Sequence, residues 1–121
     1  MNNPNFKDKL KIKIDNYVHF VYKLTKKFPK DELYGTTSQF KRATLSIILN
    51  YIEGYARRRP LVQFNFLEIS YGSLKESKYL LHFVFKEGYI TKEDYTKSLK
   101  QIDEIGAMLW TEISSLEKKL K

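Results

Sequence analysis

A regular stripe of apolar residues near the end of the chain constrains the fold more than any other feature. Its members are spaced alternately by four and three residues: Tyr95, Leu99, Ile102, Gly106, Leu109, Ile113, Leu116 and Leu120. A strand repeats every two residues and cannot produce this spacing, so the stripe predicts a helix over about 91–120. Thr91 and Asp94 resemble a capping box at its start. Gly106 lowers helix propensity, which predicts a close approach by a neighbouring helix.

Three earlier segments also have helical periodicity, with apolar residues recurring at intervals of three and four. They cover about residues 7–27, 37–56 and 60–87. Four amphipathic helices with short links are typical of an antiparallel up-down four-helix bundle. The sequence therefore predicts an all-α fold in which residues 1–121 form a single domain.

The ends of these helices are marked by residues with known preferences. Thr36 and Gln39 predict a capping box at the start of the second helix. Gly54 lies near the end of that helix and is expected to help terminate it. Pro60 favours the first turn of the third helix, and Gly88 is expected to stop it.

The second and third helices are apolar on more than one face. Apolar residues crowd positions 44–52, and residues 79–85 read YLLHFVF. A helix that is apolar nearly all round is normally buried on all sides, and a lone bundle of this size cannot cover the second faces. We therefore expect a homo-oligomer, with a closed cyclic assembly as the default. The alternative is a core stripe that is locally wide.

Positive charge is concentrated in the first half of the chain. The net charge is +8, and residues 1–60 hold 13 Lys and Arg against five Asp and Glu, whereas residues 61–121 hold nine of each. A one-sided basic surface attracts polyanions, chiefly nucleic acid or an acidic protein face. The alternative is that the charge serves only solubility.

Sequence patterns of enzymes are missing from the chain. It has no cysteine, no glycine-rich phosphate loop and no zinc motif. Neither His19 nor His82 has Glu three residues before it, as di-iron bundles require, or an earlier Arg separated from it by four to six residues, as in some small helical ribonucleases. We expect a non-enzymatic protein with no catalytic residue, metal or cofactor, and His82 is expected to be a partly buried packing residue.

No stretch of the sequence has the length and apolarity of a membrane-spanning helix. The opening MNNPNFKDKLKIK lacks the apolar region of a signal peptide. We therefore expect a soluble cytoplasmic protein without a membrane partner.

Three consecutive arginines, Arg57, Arg58 and Arg59, follow the second helix. The structural explanation is that positive charge balances the negative pole at the end of the second helix, but one cation would suffice for that. Three guanidinium groups beside Tyr55 predict a patch that grips phosphates and stacks on bases. The lysines that could extend this nucleic-acid surface are Lys26, Lys27, Lys30 and Lys41, although the sequence does not place them beside it.

A polar stripe runs along the otherwise apolar second helix, formed by Arg42, Ser46, Asn50 and Glu53. In an antiparallel hairpin of helices two and three, Arg42 lies opposite residues 75–76. We expect Arg42 to pair with Glu76 or Glu68, so that the stripe fixes the register of the helices or a subunit seam. A ligand site is the functional alternative.

Two segments, GTTSQFKRATLSIILNYIEGYAR and FNFLEISYGSLKES, together resemble the 23S rRNA intervening-sequence protein family, also called the four-helix bundle family. The resemblance is strong over residues 35–80 and follows only the helix pattern elsewhere. Its positions here are Thr37-Ser38-Gln39, Arg42, Ala43, Ser46-Ile47, Asn50, Glu53-Gly54, Arg57, Phe64, Leu67, Gly72-Ser73-Leu74 and Glu76. Tyr51-Ile52 departs from the usual Ile-Ala and is bulkier.

The resemblance implies a bacterial four-helix bundle that assembles as a homopentameric ring, and it implies no catalysis. A family similar in fold is the accessory variability determinant of diversity-generating retroelements, a basic pentamer that binds nucleic acid and a reverse transcriptase. The expected function is therefore binding of RNA or DNA by a basic oligomer. The alternative is a scaffold that docks an acidic partner such as a reverse transcriptase or another nucleic-acid enzyme.

Overall fold

The computed structural model describes residues 5–121, and this part of the chain contains four α-helices and no strand. The helices are α1 (Phe6–Thr25), α2 (Ser38–Ala56), α3 (Pro60–Lys86) and α4 (Lys92–Leu120). A short 3₁₀ turn, Lys30–Glu32, and a π-helical turn, Leu33–Thr37, lie between α1 and α2. The all-α class predicted from hydrophobic periodicity is confirmed.

Each helix packs against its two neighbours in the order α1, α2, α3, α4 and back to α1. Contacts between neighbouring helices pair later residues of one helix with earlier residues of the other. Lys13 pairs with Glu104 at 3.0 Å, and Lys27 pairs with Asp94 at 3.2 Å, so α1 and α4 are antiparallel. The short links between successive helices produce the same orientation around the bundle.

The core is mostly aliphatic but contains a buried chain of hydroxyl groups that joins three helices. Tyr17 of α1 and Thr44 of α2 each lie within hydrogen-bond distance of Ser77 of α3, at 2.7 and 2.8 Å. Burial raises the pKa of the Tyr17 hydroxyl, and the hydrogen bonds partly offset this effect. Because all three groups are satisfied by one another, the network aligns α1, α2 and α3 without leaving an unpaired hydroxyl oxygen among them.

The predicted capping arrangement at the start of α4 is confirmed. The Thr91 hydroxyl oxygen accepts a hydrogen bond from the backbone N–H of Asp94 at 3.0 Å. Partial burial raises the pKa of Asp94, but hydrogen bonds from Lys27 and Thr91 outweigh it, so this pKa lies below its ordinary value. The same carboxylate therefore caps α4 and ties it to α1.

The capping box predicted at Thr36 is wrong. Thr36 lies inside the π-helical turn, and its backbone N–H donates to the carboxylate of Glu32 at 3.3 Å. Helix α2 begins at Ser38 without a side-chain cap from Thr37. The turn over residues 33–37 leads directly into α2, with non-helical backbone dihedrals at Gly35, and its side-chain cap comes from Glu32, upstream of the position that the sequence pattern indicated.

Gly88 stops α3 as predicted, through a left-handed backbone conformation with φ of 78°. Its N–H donates to the carbonyl of Phe85 at 3.0 Å, and the N–H of Tyr89 donates to the carbonyl of Val84 at 2.9 Å. These two bonds are those of a Schellman motif, and glycine adopts the required positive φ without strain.

Gly54 has a different role from the predicted one. It is buried inside α2, which continues to Ala56, so it does not terminate the helix. A Cβ atom at this position would lie 3.1 Å from the Cβ of Phe66 and 3.3 Å from the carbonyl oxygen of Gln63. Gly54 therefore allows α2 and α3 to approach closely. At Gly106 the predicted close approach is confirmed, since an added Cβ would lie 3.3 Å from a methyl group of Leu74.

The two glycines predict responses to alanine of different size. Gly54→Ala is expected to lower the free energy of unfolding by about 1–2 kcal/mol, because α3 backbone must move and overpacking outweighs the gain in helix propensity. Gly106→Ala is expected to change it by less than about 0.5 kcal/mol, because the methyl end of Leu74 can shift and the propensity gain offsets the strain. Urea denaturation followed by circular dichroism compares the two, and equal losses would contradict the assignment.

Several large apolar side chains remain outside the core of the single chain. Leu49 and Ile52 on α2 are 54% and 47% exposed, and Trp110 on α4 is 56% exposed. His82 is exposed as well, so the expectation that it is partly buried is wrong: it lies on the outer flank of α3, beside Tyr79, while Leu81 enters the core.

Within residues 5–121, no helix combines the length and apolarity needed to cross a membrane.

Candidate functional site

Arg57, Arg58 and Arg59 form the link between α2 and α3 and are all exposed. The backbone is extended at Arg57 and at Arg59, and Pro60 then begins α3. An open groove of about 650 Å³ is lined by the three arginines with Pro60 and Val62. The triplet is thus presented to solvent at one end of the bundle.

The three arginines differ in their surroundings. The guanidinium group of Arg57 pairs with the carboxylate of Glu53 one turn earlier and lies 5.3 Å from the ring centroid of Phe66. The side-chain amide of Gln63 donates to the Arg57 carbonyl at 2.7 Å. Arg58 and Arg59 form no ion pair with any group in residues 5–121. Arg57 therefore anchors the link, and Arg58 and Arg59 offer their charge to solvent.

Two lysines that sequence reasoning missed lie at the same end of the bundle. The Lys7 ammonium group sits 4.3 Å from the ring centroid of Tyr55, and Lys119 shares with Lys7 and Gln63 a pocket of about 280 Å³. We call Arg57–Arg59, Lys7 and Lys119 the arginine end. The predicted up-down topology could have identified these two lysines, because it places the start of α1 and the end of α4 beside the α2–α3 link.

The structure does not bring the other predicted lysines to the arginine end. Lys27 pairs with Asp94 where α4 begins, and Lys41 lies 4.8 Å from the ring centroid of Tyr22. Lys26, the residue after α1, lies at that same far end of the bundle. With α2 rising about 1.5 Å per residue, Lys41 is some 24 Å from Arg57 along the helix axis.

Tyr55 is not available as the base-stacking neighbour of the triplet, which corrects the sequence interpretation. Its hydroxyl donates to Glu112, Lys7 covers its ring, and the edge of Tyr51 packs against it with 5.2 Å between centroids. Glu112 is 8% exposed and also accepts a hydrogen bond from Tyr51 at 2.8 Å. Burial, followed by the hydrogen bond and charge of Glu112, raises the pKa of both tyrosines.

The polar stripe of α2 faces α3, but the predicted pairing of Arg42 with Glu76 or Glu68 is wrong. The hydroxyls of Ser46 and Ser73 meet at 2.8 Å between the helices. Arg42 and Glu76 are both exposed and line the groove above this contact without forming an ion pair. Small side chains draw the helices together here, so the charged groups lie on the rims and not between the helices.

Two other members of the stripe have partners within α2 or in the link that follows it. The Asn50 amide donates to the Ser46 carbonyl at 2.9 Å and to the Ser46 hydroxyl at 2.8 Å, and Glu53 pairs with Arg57.

In residues 5–121 no group of three or more His, Asp or Glu side chains is arranged to hold a metal ion.

These features define the class: a small all-α bundle of four antiparallel helices with a basic end. The family model described as 23S rRNA-intervening sequence protein matches residues 9–111. The chain therefore belongs to the 23S rRNA-intervening sequence protein family, as the motif resemblance implied.

A crystal structure supports the fold independently. It is that of a protein of unknown function from the S23 ribosomal protein family of Bacteroides thetaiotaomicron VPI-5482. The two chains superpose with a TM-score of 0.80 over 86% of this chain and 97% of that chain, at 24% identity. No curated protein matches the chain.

Proposed function

We propose that this protein is a non-enzymatic homo-oligomer that binds RNA or DNA through the arginine end. The observation that carries the proposal is the exposure of Arg58 and Arg59 without an ion pair in residues 5–121, beside Lys7 and Lys119. A guanidinium group that is not neutralised by a carboxylate offers several N–H donors in a planar fork, which matches the oxygens of a phosphate.

Binding in this proposal is directed mainly at the nucleic-acid backbone. Exposed arginines and lysines neutralise phosphates and release condensed counterions, so the affinity falls steeply with salt. Backbone contacts position a protein on nucleic acid without reading the sequence. Metals and cofactors are not required, and the proposal places the protein in the cytoplasm.

Assembly into a ring would multiply these contacts. One exposed apolar face lies on α1 and α2, where Ile12, Ile48 and Ile52 line a groove of about 440 Å³. A different face lies on α3 and α4, where Tyr71 packs against the exposed Trp110 with 5.4 Å between centroids. Two unlike faces favour a head-to-tail contact, which closes into a cyclic oligomer. The family resemblance favours five copies, and each added copy would strengthen binding by avidity.

As part of this proposal, the protein resembles the accessory variability determinant of diversity-generating retroelements in fold and charge. It also motivates the alternative, a scaffold whose basic surface docks an acidic partner such as a reverse transcriptase. Both functions would use the arginine end, so the presence or absence of direct nucleic-acid binding separates them.

The test is fluorescence anisotropy with labelled RNA and DNA strands between about 50 and 200 mM salt. Arg58→Ala with Arg59→Ala is expected to weaken binding at every salt concentration and to lower the salt slope by about two, one for each lost phosphate contact. Adding Arg57→Ala is expected to contribute less, because Glu53 already neutralises that guanidinium group.

Two control variants sharpen this experiment. Lys97→Ala with Lys100→Ala removes two exposed charges of α4 away from the arginine end and should leave the salt slope unchanged. Lys26→Ala with Lys41→Ala asks whether the far end of the bundle contributes. Equal losses from all three double variants would show that only total charge matters. Lack of binding at low salt by an assembled wild-type protein would favour the scaffold.

A further inference from the structure

A polar groove between α2 and α3 is not used by the arginine end. It has a volume of about 560 Å³, within the range of roughly 300–1,000 Å³ found for small-ligand sites. We call it the α2–α3 groove. The lining residues used below are Tyr34, Arg42, Ser46, Ser73 and Glu76.

The floor of the groove presents a hydroxyl donor whose position is fixed. Asn50 donates to the Ser46 oxygen, and Ser46 shares one hydrogen bond with Ser73. The two serines carry two protons, and their mutual bond uses one. The other is left for an acceptor in the groove, and the amide of Asn50 together with the facing helix holds both oxygens in place.

Opposite charges face each other across the groove without meeting. Neither Arg42 nor Glu76 forms an ion pair with any group in residues 5–121. A simple anion would be attracted by Arg42 but repelled by Glu76, and a simple cation the reverse. The groove therefore suits a ligand that carries an anionic group at one side and N–H donors at the other.

An unpacked aromatic ring stands at the rim. Tyr34 is 94% exposed, the highest value among the large apolar side chains that are exposed. The π-helical turn that carries it is held by Glu32, which accepts hydrogen bonds from the Thr36 N–H at 3.3 Å and from the Tyr89 hydroxyl at 3.2 Å. A ring on a tethered turn, with its face open to solvent, is suited to stack on a nucleobase.

We propose that the α2–α3 groove binds one nucleotide of a single strand and prefers guanine. Arg42 and the serine hydroxyl hold the phosphate, Tyr34 stacks on the base, and Glu76 reads its Watson–Crick edge. Guanine presents two adjacent N–H donors there, which match the two oxygens of a carboxylate. The other bases place an acceptor where guanine has a donor, and Glu76 cannot donate to it. This inference rests on the proposed function for the affinity of the strand but adds base recognition to it.

The test uses uridine-rich RNA strands that differ at one central position, which is G, A, C or U. At a salt concentration where the uridine strand binds measurably, wild type is expected to bind the G strand about tenfold more tightly, the discrimination typical of one bidentate base contact. Glu76→Gln is expected to abolish this preference, so that the strands with G and with U at the central position bind with equal affinity. Glu68→Gln, an exposed carboxylate of α3 outside the groove, is the matched control and should retain the preference.

A second measurement is independent of the arginine end. Titration with guanosine monophosphate is expected to shift the backbone amide signals of Ser46 and Ser73 in nuclear magnetic resonance spectra, and adenosine monophosphate is expected to shift them much less. This result would support the groove even if Arg58→Ala with Arg59→Ala abolished strand binding, or if no strand bound at all.

Three results would overturn the inference. Equal binding of all four strands with no shift from guanosine monophosphate would show that the groove recognises no base, although salt-dependent binding through the arginine end would survive. Retention of the G preference by Glu76→Gln would remove the proposed contact. A change in oligomeric mass caused by Glu76→Gln, measured by light scattering, would show that a second copy of the chain occupies the groove.

Discussion

Glu112→Ala is expected to lower the free energy of unfolding by about 2–4 kcal/mol. The carboxylate accepts hydrogen bonds from Tyr51 and Tyr55 and is nearly inaccessible to solvent. Its removal leaves two tyrosine hydroxyls without their acceptor, and each unsatisfied buried group costs about 1–3 kcal/mol, less where water can enter. The same contacts join α2 to α4, which lie diagonally across the bundle, so the packing of that end also loses support.

Urea denaturation measures this loss, with Glu117→Ala as the control. Glu117 is an exposed residue of the same helix, and its removal should change the free energy of unfolding by no more than about 0.5 kcal/mol. Glu112→Gln keeps one acceptor oxygen and should fall between the two. Adding Tyr51→Phe to Glu112→Ala should restore part of the stability, because it removes one of the stranded hydroxyls. Equal stability of the two alanine variants would mean that water in the adjoining pocket satisfies both tyrosines.

The second large effect is expected in the oligomeric mass. Wild type should scatter light as a multiple of the 14.4 kDa chain, and Leu49→Glu with Ile52→Glu should reduce it to a monomer. Both side chains are about half exposed on the outer face of α2, and glutamates there would have to bury charge in any interface that covers them. Because neither side chain is fully buried within the bundle, the variant should retain the circular dichroism of wild type.

Ser115→Glu, which adds a charge at an exposed polar position of α4, serves as the control and should keep the mass of wild type. A monomeric wild type would contradict assembly through these faces. A variant that keeps the full mass would place the interface elsewhere. If the ring contributes avidity, the monomeric variant should also bind nucleic acid more weakly than wild type even though its arginine end is intact.

Local features of the fold were accessible from the sequence because they depend on residues close together in the chain. The stripe from Tyr95 to Leu120 predicted α4 since side chains three and four apart share one face of a helix. Gly88 and Thr91 marked helix ends because a left-handed stop and a side-chain cap are completed within a few residues. The family motif was likewise readable along one helical hairpin, and the family model agrees with it.

What the sequence by itself determined is therefore the number and type of the helices, several of their ends and the family. Only the tertiary structure decided that Lys7 and Lys119 join the arginines, that Tyr55 is occupied by Glu112, and that Arg42 stays apart from Glu76. These outcomes depend on how far each helix is rotated and how closely two helices approach, which small residues such as Gly54 control. Periodicity identifies the face of a helix that is buried, but the partner that a polar group meets is set by distances of a few ångströms between segments remote in sequence.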